Sequence, residues 1–139
     1  MVDTLKGKVI VSGEAQGEVL TLSEPLSLWG GLNPDTGEII DRHHPNSGDN
    51  VTGKILVMPA GRGSSSASSI LLEAVRQHTA PAGIILLETD GILALGAVVA
   101  REIYEVNLPV IVLNSTDYEK LGSRQNLHIQ QDGTINLYQ

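Results

Sequence analysis

Chemistry in this chain is concentrated in residues 61–66, Gly-Arg-Gly-Ser-Ser-Ser. An apolar run, 55–58, breaks at Pro59, passes through two glycines and meets three serines that open a helix-forming stretch. A strand, a tight glycine turn and a helix start direct free backbone N–H groups and small hydroxyls toward one point. The positive end of a helix dipole lies beneath it. Arg62 adds a fixed charge and a planar fork of donors suited to a carboxylate or phosphate. An anionic substrate is the ligand expected here. The alternative is local: serines and glycines are common between a strand and a helix, and Ser64, Ser65 and Ser66 would also serve as caps. Neither nucleotide-binding signature is complete. Ser66 stands where Gly-x-Gly-x-x-Gly requires its last glycine, and no Gly-Lys-Ser/Thr ending follows.

Composition limits what such a loop can do. Without cysteine the sequence has no disulfide and no thiolate metal ligand. His43 and His44 are adjacent and would point opposite ways on an extended segment, while His78 and His128 stand alone. No metal site is expected in this chain; a metal used in catalysis would take most of its ligands from a partner. The formal net charge is −7 with no run of Lys or Arg, which argues against a nucleic-acid partner. No apolar stretch has membrane-spanning length and the N-terminus lacks a signal-peptide core, so a soluble cytoplasmic protein with no membrane association is expected. The 139 residues suit one domain, 1–139, and 41% apolar content without Phe leaves the core to Val, Ile, Leu and Ala.

These residues must be positioned by strands and helices that the pattern predicts. Residues 8–12 and 18–22 are short β-rich runs, separated by Gly13 and Gly17, that read as a hairpin. Residues 23–53, rich in Pro, Gly and Asn with one short run at 38–40, read as ordered loop. A loop of this length in a small domain is usually functional or covered by a partner. Within it, Asp41, Arg42, His43 and His44 are assigned a structural or interface role. Trp29, the sole Trp, is either an interface anchor or a core residue under the loop. From residue 54 strands alternate with helices: 55–58 then a helix over 66–77, 83–87 then a helix over 91–104 with Asp90 as N-cap, and 110–113 then a short helix over 115–121. Residues 127–130 and 134–137 flank Gln131-Asp132-Gly133 as a hairpin. Successive βα units imply parallel strands joined by right-handed crossovers. The fold class is α/β, a β/β/α domain.

Two resemblances follow. The stretch 91–112, with Ala100-Arg101-Glu102 before Leu108-Pro109-Val110, resembles the phosphohistidine swivelling domain of phosphoenolpyruvate-utilising enzymes. Alignment on Ala100-Arg101-Glu102 puts Leu95 where that family carries its histidine. The resemblance therefore implies the swivelling fold without the phosphoryl chemistry. The broader match is carried by Trp29-Gly30-Gly31, Asp35-Thr36-Gly37, Ile40-Asp41, His44-Pro45, Gly61 to Ser66, Thr79-Ala80-Pro81-Ala82 and Ile92 to Ala97, in this order. Together they resemble the small subunit, or swivel domain, of aconitase X.

That resemblance implies a hydro-lyase acting on a small hydroxy acid and active only as a heterodimer with a large catalytic subunit. The large subunit would bind the iron–sulfur cluster or iron. It implies Ser64 as catalytic base, with Ser65 second, and Arg62, Gly61, Gly63 and Ser66 around the substrate. Two departures stand out: Ala67 replaces a glycine frequent in relatives, and Ser66 replaces the arginine that follows the serines in aconitases. Arg62 is the nearby substitute. The family acts on cis-3-hydroxy-L-proline or on mevalonate 5-phosphate. The serine triplet is familiar from the archaeal, mevalonate branch. The 18% charged content and plentiful Asn and Gln, unlike a hyperthermophile, favour the hydroxyproline reading. The reading from another class is a non-catalytic anion-binding or docking module that keeps the fold.

Overall fold

Runs of Ile, Leu, Val and Met with both faces apolar build the centre of the molecule. The computed structural model describes residues 2–62 and 66–138. In chain order the elements are β1 (Val2–Lys6), β2 (Lys8–Val11), β3 (Ala15–Thr21), a kinked turn α1 (Leu28–Gly31), β4 (Ile55–Met58) and α2 (Ser66–Arg76). They continue with β5 (Gly83–Leu86), α3 (Gly91–Tyr104), β6 (Val110–Val112), a short α4 (Ser115–Tyr118), β7 (Asn126–Ile129) and β8 (Thr134–Tyr138). β4 and β5 are buried at every position, as expected of strands covered on both sides. Alternation sorts their side chains into two clusters. Ile55, Val57, Ile85 and Ile111 pack with Leu127, Ile129, Ile135 and Leu137, while Leu56, Met58, Ile84 and Leu86 pack with Leu71, Ala74, Leu93 and Ala97 of the helices.

The eight strands run in the order β1-β8-β7-β3-β4-β5-β6-β2. The β3–β4–β5–β6 pairs are parallel, joined after β4 and β5 by the α2 and α3 crossovers. β1, β8, β7 and β3 pair antiparallel. β3 serves both halves, its residues 15–18 pairing with β7 and 19–21 with β4. β1 and β2 stand at opposite ends of this order yet form one segment interrupted only at Gly7. The sheet therefore curls into a near-barrel whose interior is the first cluster. Residues 22–54 lie over the second cluster, held by buried Leu26, Leu32, Ile39 and Val51 and by isolated bridges Leu32–Ile39 and Glu38–Asn50.

The α/β reading, the parallel strands and the late hairpin are found as expected. α3 spans 91–104, and Asp90 caps it by accepting from the Ile92 and Leu93 amides at 2.9 and 3.0 Å. α2 ends at Arg76, and α4 ends at Tyr118 with Asn114 as its cap. The early hairpin is not formed. β2 pairs with β6 and β3 with β4 and β7. Gly17 is not a turn residue but lies inside β3, where a Cβ would come within 2.6 Å of the Gly53 carbonyl oxygen. β1, which pairs with β8, was not expected.

Candidate active site at the carboxyl ends of β4 and β5

Parallel strands bring their carboxyl ends to one edge, where open α/β sheets place ligands. Here the two loops leaving β4 and β5 are tied together. The Pro59 carbonyl accepts from the Leu87 and Glu88 amides at 3.0 and 3.1 Å. Gly61 bridges Leu26 in parallel, which brings the long 22–54 segment to the same edge. On its other side Gly61 presses on the α3 cap: a Cβ there would strike Asp90 Oδ2 and sit 3.1 Å from Leu93 Cδ1. Glycine is required at this position by contact, not by an unusual dihedral angle.

Gly61, Arg62, Ala67, Asp90, Ile92 and Leu93, with Leu26 and Leu28, enclose a notch of about 10 Å³. That is room for about one water-sized group. Apolar side chains form its floor, and Arg62 and Asp90 supply its charges. Of the residues expected from sequence, Gly61 and Arg62 are in the notch, and Ser66 opens α2, whose next residue, Ala67, lines it. Gly63, Ser64 and Ser65 lie outside the described residues. Asp90 was expected only as a cap. Its Oδ1 does the capping, which leaves Oδ2 against Gly61.

Trp29 is 63% exposed, which removes the reading of a core residue under the loop. Its neighbour Leu28 turns inward and lines the notch. The reason is local: Trp29 leaves helical dihedrals (ψ 117°) and Gly30 takes φ +78°, so the turn α1 buries Leu28 and Gly31 and leaves Trp29 and Gly30 outside. His44 is buried and structural. Its Nδ1 accepts from the Asn46 amide at 3.0 Å and its Nε2 donates to the Glu24 carbonyl at 3.1 Å, a pair that selects the neutral Nε2–H tautomer. Asp41 Oδ1 accepts from the His43 amide in a local turn, and Arg42 and His43 are exposed. Leu95 is 55% exposed on α3.

Comparison with known proteins agrees with this fold. Residues 4–137 match the aconitase X swivel domain. The chain belongs to that family. It is 49% identical over 106 residues to the cis-3-hydroxy-L-proline dehydratase of Pseudomonas aeruginosa, covering 76% of this chain and 18% of that protein. The chain thus spans about a fifth of the curated hydroxyproline dehydratases it matches. It is 42% identical over 125 residues to the phosphomevalonate dehydratase small subunit of Pyrococcus furiosus, covering 90% of this chain and 87% of that one. The fold superposes on a chain of holo aconitase X from Thermococcus kodakaraensis with a TM-score of 0.86 at 32% identity, over 99% of both chains.

The aconitase X swivel domain raises the question of iron. Among the described residues no three His, Cys, Asp or Glu side chains converge, and the sequence has no cysteine. The donor set of this chain does not fit an iron–sulfur cluster. Among the described residues no helix is long and apolar enough to cross a membrane.

Proposed function

We propose that this chain is the small subunit of an aconitase-X-type dehydratase that removes water from cis-3-hydroxy-L-proline. It would work as a heterodimer with a large subunit that contributes the iron or iron–sulfur group and the remaining wall of the site. The observation carrying this reading is the 49% identity to a named hydroxyproline dehydratase, in a swivel domain whose Gly61 and Arg62 line the β4–β5 notch. A notch sized for one water cannot enclose a proline-sized substrate, which is consistent with a site completed across an interface. The mevalonate 5-phosphate reading has its own support in the small subunits of similar length.

This chain's part in the reaction is to bind the acid and take a proton. Arg62, exposed at the rim of the notch, presents its guanidinium to the substrate carboxylate. Ser64, two residues on, acts as the base at the carbon next to that carboxylate, with Ser65 the neighbouring hydroxyl. The C–H electron pair becomes the new C=C bond and the C–O bond breaks. The proton taken by the serine and the departing hydroxide together make the water released. A positioned base of this kind contributes roughly 10²–10⁴-fold. The test is to co-purify the chain with its large subunit anaerobically and assay both acids. Turnover of cis-3-hydroxy-L-proline that falls by that factor in Ser64→Ala, with the complex intact, supports the reading. Turnover of mevalonate 5-phosphate alone replaces the substrate, and a Ser64→Ala complex within a few-fold of wild type removes the base.

A further inference from the structure

The notch holds two opposite charges, Arg62 and Asp90, and among the described residues no ion pair engages either one. A carboxylate beside a carboxylate-binding arginine is a liability for a substrate carrying only negative charge, because like charges repel and a nearby acid competes for the guanidinium. It is an asset for a substrate that is itself a zwitterion. We infer that Asp90 is a specificity-determining residue of this site, its free oxygen receiving the ring ammonium of an imino acid while Arg62 receives the carboxylate.

Four features carry this inference, which rests on the dehydratase reading above. The work of Asp90 is divided between its oxygens: Oδ1 accepts both the Ile92 and Leu93 amides, so capping α3 needs nothing from Oδ2. The two bonds to Oδ1 fix the carboxylate, and Oδ2 lies against Gly61 at a spot where any side chain on residue 61 would displace it. The carboxylate is partly buried on an apolar floor of Leu26, Leu28 and Leu93, where a charge contact is screened less than in open water. The space beside it is small, about 10 Å³. cis-3-Hydroxy-L-proline carries a secondary ammonium on the carbon that bears its carboxylate. Mevalonate 5-phosphate carries no cation.

The experiment uses the holo complex and two ligands: cis-3-hydroxy-L-proline and its carbocyclic counterpart, cis-2-hydroxycyclopentane-1-carboxylate, in which a CH₂ replaces the ring nitrogen. The wild-type complex should bind the imino acid about 10- to 100-fold more tightly than the carbocycle, the value of one hydrogen bond to a charged group. Asp90→Asn keeps a capping oxygen and the shape, and Asp90→Ser keeps a cap without a second oxygen. Both should raise KM for the imino acid by about that factor. The carbocycle, which carries only negative charge, should bind as tightly as before or more tightly, with melting near wild type. A purely structural role would weaken both ligands together. Discrimination unchanged in Asp90→Asn, with hydroxyproline turnover present, overturns the inference and leaves the dehydratase reading standing. Equal binding of the two ligands by the wild-type complex overturns it without any variant. Turnover restricted to mevalonate 5-phosphate overturns both.

Discussion

The barrel interior and the loop edge of the same sheet are finished to different degrees. Inside the barrel Ile55, Val57, Ile85, Leu127, Ile129 and Ile135 are fully buried, and the strands that carry them are tied to neighbours on both sides. At the carboxyl ends of β4 and β5 a 63% exposed Trp29 and a 55% exposed Leu95 remain in solvent, and the charged notch has room for about one water-sized group. Stability is therefore supplied where the chain needs nothing from outside, and the surface left incomplete is the one to which the proposed chemistry is assigned. A substitution in one region should be silent in the observable of the other.

The largest effect expected on the barrel side comes from Ile85→Ala. Ile85 is fully buried in the inner cluster, and truncating such a side chain costs about 2–5 kcal/mol through lost transfer energy and the cavity left behind. Urea unfolding should show that loss. Turnover per folded complex at low temperature should stay within about twofold of wild type. A drop in turnover at full folding would show that the barrel and the loop edge are coupled and would break the contrast.

Trp29→Ala probes the other side. A large exposed aromatic beside the notch is suited to anchoring a partner, and buried Trp anchors cost about 2 kcal/mol or more when truncated. The affinity for the proposed large subunit should fall about 30-fold or more, read by titration, while the melting of the isolated chain should hardly move. Unchanged affinity would place the partner on another face.

These two regions were also unequally legible in the sequence. The parallel strands announced themselves as unbroken apolar runs, and α3 by its length, its apolar spacing and Asp90 at its head. In the antiparallel half the β7–β8 hairpin is legible from its turn, whereas the distant pairings are not. β1, with Asp3 and Lys6 among its five residues, forms a strand through β8 at the far end of the chain, and no local pattern encodes that partner. The same holds at the site. The glycine–serine loop could be read locally, but the second oxygen of Asp90 acquires meaning only when the loop after β4 folds against the cap of α3. Trp29 faces outward because of a dihedral switch at Trp29 and Gly30, which composition does not reveal.

The smallest effect expected sharpens the barrel side. The Tyr118 hydroxyl is buried without a hydrogen-bond partner among the described residues, and its ring packs on the inner cluster beside Leu121. Burial pushes the phenol up to about 12 from 10, because the phenolate would lose its water. Between pH 10 and 12 the folded protein then keeps a proton that the unfolded chain releases. This contribution to stability is whole below pH 10 and is lost as pH rises through 12. Tyr118→Phe removes both the unpaired hydroxyl and the titration. At pH 8 the variant should be as stable as wild type or more stable by up to about 1 kcal/mol, and the gap should widen between pH 10 and 12. Urea midpoints for both proteins at pH 8 and 11 measure this. Parallel losses across that interval would mean that water reaches the hydroxyl, and that the barrel is less dry at this end than its aliphatic lining suggests.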